Sequence, residues 1–144
     1  MKPILIINGP NLNMLGRREP GIYGSETLAD IKVLCQTKAA SLGLEIDFYQ
    51  SNSEGELITR IQQAAETSSG IIINPAGLGH SSIALMDALL AVSLPAMEVH
   101  LSNIYKREEF RHNTYTSRAV KGVISGFGSF GYVMALEVMK RELS

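Results

Sequence analysis

Tryptophan is missing from this chain, cysteine occurs once, and no long basic run appears along its 144 residues. Each shortage removes a class of protein. A single Cys35 forms no intrachain disulfide and no multi-cysteine metal site, which is compatible with a reducing compartment. A formal net charge of -1 lacks the concentrated positive field that a nucleic-acid surface needs. No apolar stretch approaches the roughly 20 residues of a membrane span. The first one, Ile4 to Ile7, stops at Asn8 and Pro10, and no small-residue cleavage pattern follows it. It reads as a first strand of a cytoplasmic protein. What remains is 45% hydrophobic and 19% charged, the composition of an ordinary globular protein. The length suits a single domain over residues 1–144.

Short apolar runs alternate with amphipathic stretches, and no repeat or linker is visible. Ile4 to Ile7 is the first strand. Leu28, Ile31, Cys35, Ala39 and Leu42 then recur at helical spacing, with Ser25 as the expected N-cap and Gly43 as the stop. Leu44 to Gln50 reads as a strand. Ser53 caps a helix that carries Leu57, Ile61, Ala64 and Ala65. Gly70 to Asn74 is a strand apolar on both faces, Ser81 to Val92 a helix, and Pro95 to Val99 a strand. Val120 to Ser125 is a fifth strand, and Tyr132 to Leu143 a closing helix. Crossover helices between short apolar strands make a parallel sheet covered on both sides. The expected fold is therefore α/β: a flavodoxin-like, doubly wound, five-stranded parallel sheet with helices on both faces. Fold alone does not fix function.

Ligands of such sheets bind beyond the carboxyl ends of the strands. Strand one runs into Asn8-Gly9-Pro10-Asn11, strand three into Asn74-Pro75 and on to His80, strand four into Glu98-Val99-His100-Leu101-Ser102-Asn103. Each amide could merely cap a turn and each imidazole satisfy a neighbour. Their gathering at one sheet edge points instead to a site. The connection from Pro10 to Gly24 is long for a βα loop and carries Arg17 and Arg18, as an active-site lid would. Arg107 and Arg111 add cations after strand four and would share a face if helical. Histidines twenty residues apart, without an acidic cluster, do not describe a metal cage. Helix three is apolar nearly all round, so burial on more than one side is expected. Its lone charge, Asp87, then needs a partner in the subunit or across an oligomer contact.

The run Ile7-Asn8-Gly9-Pro10-Asn11-Leu12-Asn13-Met14-Leu15-Gly16-Arg17-Arg18-Glu19-Pro20 resembles the opening motif of type II 3-dehydroquinate dehydratases. So do Tyr23-Gly24, Gln50-Ser51-Asn52, Ile73-Asn74-Pro75, the Glu98 to Asn103 segment, Arg107 to His112, and Gly131-Tyr132, in order and at matching spacing. The resemblance implies anti elimination of water from 3-dehydroquinate to 3-dehydroshikimate through an enolate, with no cofactor and no metal. It implies Tyr23 as the base for the C2 proton, with Arg18 holding its tyrosinate. It implies Asn11 as the holder of a water against the enolate oxygen, and His100 as the general acid, oriented by Glu98 or Asn74. Substrate hydroxyls fall to His80 and Arg111, and the substrate carboxylate to Leu101 and Ser102. There the start of a short helix after strand four would add free N–H groups. Asp87 would reach a neighbour's site within a trimer, and trimers would assemble into a dodecamer.

Six positions depart from the usual pattern. Gly79 stands for threonine and is expected to loosen the turn that aims His80. Met86 stands for a common arginine and removes one cation near Asp87. Tyr105-Lys106 and Asn113-Thr114 replace a His-Ala and a His-Ser pair. Two rival readings of the same fold find less support. A nucleotide-binding module would need a phosphate cradle, and no GxxxxGK[ST] or GxGxxG is present. A phospho-receiver would need an acidic pocket at the end of strand one, where Asn8-Gly9 supplies none.

Overall fold

The computed structural model of the chain describes residues 1–17 and 24–144. Five strands form one parallel sheet: β1 (Ile4–Asn8), β2 (Ile46–Gln50), β3 (Gly70–Asn74), β4 (Ala96–His100) and β5 (Gly122–Ser125). Their order across the sheet is β2-β1-β3-β4-β5, the flavodoxin-like order expected from the sequence. The α-helices among the described residues are α1 (Leu28–Ser41), α2 (Glu54–Thr67), α3 (Ile83–Val92) and α4 (Phe130–Glu142).

Alternation along the strands builds two cores. Ile4 and Ile6 pack with Ile31 and Cys35 of α1 and Leu136 of α4. Leu5 and Ile7 pack with Leu57 and Ile61 of α2 and Leu85 and Leu89 of α3. Each fully buried isoleucine contributes roughly 1.5–3 kcal/mol of transfer free energy. β1 and β3 are apolar on both faces because helices cover both. Burial pushes the Cys35 thiol up to about 12, with Glu26 adding to the shift, so it stays an inert core thiol near neutral pH.

Two local expectations are corrected. α1 is capped by Thr27, not Ser25. Thr27 Oγ1 accepts from the Asp30 N–H at 3.1 Å, while Asp30 Oδ2 accepts from the Thr27 N–H at 3.0 Å. That reciprocal capping box outcompetes a serine two residues upstream. Within the single chain α3 is buried on one side. Leu85, Ala88 and Leu89 face the core, but Ile83 is 53% and Leu90 54% exposed, and Asp87 lies on the same outer face. Ser53 caps α2 as expected, its hydroxyl accepting from the Glu56 N–H.

Among the described residues, no helix is long and apolar enough to cross a membrane.

Candidate active site

Strand order reverses between β1 and β3, so their connections leave in opposite directions and open a crevice beyond their carboxyl ends. The two ends must first come close together. Gly9 N–H donates to the Asn74 carbonyl at 2.8 Å, and a Cβ on Gly9 would lie 2.4 Å from the Pro75 carbonyl oxygen. Only glycine allows that approach. A polar lattice beneath the crevice locks both strand ends. The Tyr132 hydroxyl of α4 donates to Asn8 Oδ1 at 2.6 Å and accepts from Asn74 Nδ2 at 3.0 Å. Asn74 Oδ1 accepts from the Ala76 N–H at 3.1 Å. Complete burial raises the Tyr132 phenol well above its ordinary value, so it remains a neutral donor and acceptor.

The crevice holds a cavity of about 270 Å³, large enough for a small polyol. Asn11, Asn74, His80, His100, Leu101, Ser102, Arg107 and Arg111 line it. Asn11 adopts a left-handed conformation, φ 70°, which asparagine tolerates better than most residues. Its N–H donates to Asn52 Oδ1 at 3.0 Å, and Gln50 Nε2 donates to the Gly9 carbonyl and to Asn52 Oδ1. The end of β2 therefore props the loop that presents Asn11. None of the six lysines lines the cavity.

His100 sits at the cavity floor. Two residues apart on β4, Glu98 and His100 share a face of the strand, and Glu98 Oε2 lies 2.6 Å from His100 Nε2. The other carboxylate oxygen accepts from the Thr116 hydroxyl at 2.5 Å. Glu98 is fully buried, and a buried carboxylate is tolerated only when both oxygens are satisfied. Of the two partners named for His100 in the sequence, Glu98 holds it. Asn74 is engaged with Tyr132 and Ala76 instead.

The His80 ring stacks 5.9 Å from that of His100. His80 Nδ1 donates to the Asn113 carbonyl at 3.1 Å, leaving Nε2 as its acceptor. Burial, chiefly, pulls its pKa below the ordinary value, and the nearby His100 and Arg111 pull the same way. His80 is thus a neutral imidazole near pH 7. Gly79 does not loosen the turn beneath it. The glycine is buried, its carbonyl accepts from the Tyr115 N–H at 2.7 Å, and a Cβ would meet the Pro75 ring at 2.8 Å.

The cationic wall also differs from expectation. Arg107 and Arg111 do not share one helix. A turn at Ile104–Lys106 ends before an extended Arg107, and a second turn covers Glu109–Arg111. Both residues still line the cavity. Arg107 Nη1 donates to Ser102 Oγ at 3.3 Å, and Arg111 Nε to Glu108 Oε2 at 2.5 Å. The segment after β4 offers fewer helix-end donors than its sequence suggests. Asn103 Oδ1 takes the Tyr105 N–H, and Ser125 Oγ takes that of Ile104. Positive charge for an anionic substrate comes mainly from the arginines.

Arg18 and Tyr23 lie outside the described residues. Asp87 is placed away from this cavity, on the outer face of α3. Tyr132 and Thr116 were not singled out as site residues. Gly131-Tyr132 stands among the motifs of the resemblance, but no local signal ties the Tyr132 hydroxyl to Asn8 and Asn74, and nothing local ties Thr116 to a glutamate 18 positions earlier.

Comparison with known proteins gives this geometry a context. The family described as "Dehydroquinase class II" matches residues 2–140. A 3-dehydroquinate dehydratase of Chelativorans is 56% identical over 143 residues, covering 99% of each chain. One from Sinorhizobium medicae is 56% identical over 137 residues, covering 95% of this chain and 93% of the relative. The crystal structure of a type II dehydroquinase from Propionibacterium acnes superposes with a TM-score of 0.93 at 44% identity, covering 98% of this chain and 97% of that one.

Proposed function

The chain belongs to the class II dehydroquinase family, and on that premise we propose that it eliminates water from 3-dehydroquinate to give 3-dehydroshikimate, using its own side chains alone. The observation that carries the reading is the Glu98–His100 pair, 2.6 Å apart at the floor of a cavity walled by amides and two arginines.

The steps follow from the groups present. Tyr23, as tyrosinate beside Arg18, removes the C2 proton, and the electron pair moves onto the neighbouring carbonyl oxygen as an enolate. Asn11 holds a water against that oxygen. Collapse of the enolate expels the β-hydroxyl, which takes a proton from His100 and leaves as water. Glu98 occupies Nε2, so Nδ1 is the nitrogen that exchanges a proton with the cavity. His80 Nε2 accepts from a substrate hydroxyl and Arg111 binds another. Asn74 faces the substrate from the locked end of β3. Leu101 and Ser102 take the carboxylate, with Arg107 behind Ser102.

The test is direct. Pure protein incubated with 3-dehydroquinate should generate the absorbance of a conjugated enone. Borohydride added with substrate should leave turnover intact, because no lysine lines the cavity to form an imine. A protein without turnover, or a reduced lysine adduct in the mass spectrum, would overturn the proposal.

Assembly belongs to the same proposal. Ile83 and Leu90 flank Asp87 on a half-exposed apolar face of α3, the kind of surface a second copy covers. A trimer would bring Asp87 to a neighbour's cavity, and trimers would build a dodecamer. Asp87→Ala is expected to weaken assembly or substrate binding more than a substitution of an exposed residue such as Lys32. Sedimentation and activity across a dilution series would show it, and a fully active wild-type monomer would end the idea. A cytoplasmic location is likewise proposed, with cell fractionation as its check.

A further inference from the structure

Thr116 lies on a short turn, Thr116–Ala119, that precedes β5. It is fully buried and does not line the cavity. A threonine in such a turn commonly returns its hydroxyl to a nearby backbone carbonyl. Here the hydroxyl instead crosses to Glu98 Oε1 at 2.5 Å. The turn is tied to the β3–α3 connection, where Tyr115 N–H donates to the Gly79 carbonyl at 2.7 Å, and is braced within itself, where Arg118 Nη1 donates to the Thr114 carbonyl at 2.9 Å. Gly79 leaves the space the hydroxyl occupies, since a Cβ there would stand 3.2 Å from Thr116 Oγ1.

We infer that Thr116 is a positioning residue for the proton donor: by holding one oxygen of Glu98, it fixes the carboxylate whose other oxygen orients His100. The inference rests on the function proposed above. A carboxylate held at one oxygen only can swing about its Cγ–Cδ bond. Held at both, it presents Oε2 to the imidazole in a single direction. Thr116 therefore acts on the proton-transfer step and not on substrate affinity.

Steady-state kinetics with 3-dehydroquinate on wild type, Thr116→Val and Thr116→Ser test this. Valine keeps the shape and deletes the hydroxyl. Its kcat should fall roughly 10–100-fold, the scale of one hydrogen bond to a charged group, with KM little changed. Serine restores the hydroxyl and should restore kcat, which a purely packing role for the threonine would not require. Should Thr116→Val not fold, Thr116→Cys takes its place. Its size is similar and its S–H is a weaker donor, so its kcat must also fall. Unchanged kcat in the valine or cysteine variant, failure of serine to rescue, or a loss confined to KM would overturn the inference while leaving the proposed function standing. Absent turnover in the wild type would instead remove the function, and the inference with it.

Discussion

Tyr23→Phe is expected to abolish turnover at every pH, because the base of the proposed mechanism then has no ionisable group. At a reference pKa of about 10, only about one tyrosine in a thousand is ionised at neutral pH. An opposite charge within about 4–6 Å lowers an acid's pKa by roughly 1–3, and each step of one corresponds to about 1.4 kcal/mol favouring the anion. Arg18, five positions earlier in the sequence, is the cation assigned that work. Arg18→Ala should therefore be strongly impaired at neutral pH and regain part of its loss as the pH rises toward the phenol's own value. The measurement is kcat/KM against pH for wild type and both variants. Equal losses at all pH values in Arg18→Ala would reduce Arg18 to substrate binding or loop closure. Appreciable activity in Tyr23→Phe would remove Tyr23 from the mechanism.

The second large effect is at His100. A positioned general acid contributes roughly 10²–10⁴-fold, so His100→Ala should lose that much kcat. The same change deprives buried Glu98 of its partner at Oε2. Breaking a buried pair typically costs about 3–5 kcal/mol, so the alanine variant should also melt earlier. His100→Gln separates the two effects. Its amide can still donate to Glu98 but cannot deliver a proton, so thermal stability should largely return while kcat stays low. Near-normal turnover in both variants would shift the acid to His80. That ring starts from a weaker position, since burial already favours its neutral form.

Much of this chain could be read before folding it. β3 was legible residue for residue, because a run of isoleucines ended by Asn-Pro admits one interpretation. The helix start at Ser53 was legible, and the start of α1 was misplaced where a reciprocal pair decided the matter, at Thr27 with Asp30. Glu98 entered as a candidate partner of His100 through the family resemblance, with Asn74 left open beside it, and the two residues share a face of β4.

Other features had no local signature. The choice of Glu98 over Asn74 as the partner of His100 depends on Tyr132, which is 58 residues from Asn74 and 124 from Asn8. Thr116 reaches Glu98 only because the turn before β5 folds back over α3. Gly79 reads as a loosened turn in sequence and is a packed one in space. α3 reads as a buried helix, yet one side of it is open in the single chain. Periodicity and capping are properties of neighbouring residues, and the amino-acid sequence by itself determined the strands, helices and parallel sheet that those properties dictate. Which buried donor meets which buried acceptor depends on distance across the fold, so the orientation of the acid and the fastening of its carboxylate were decided by tertiary structure alone.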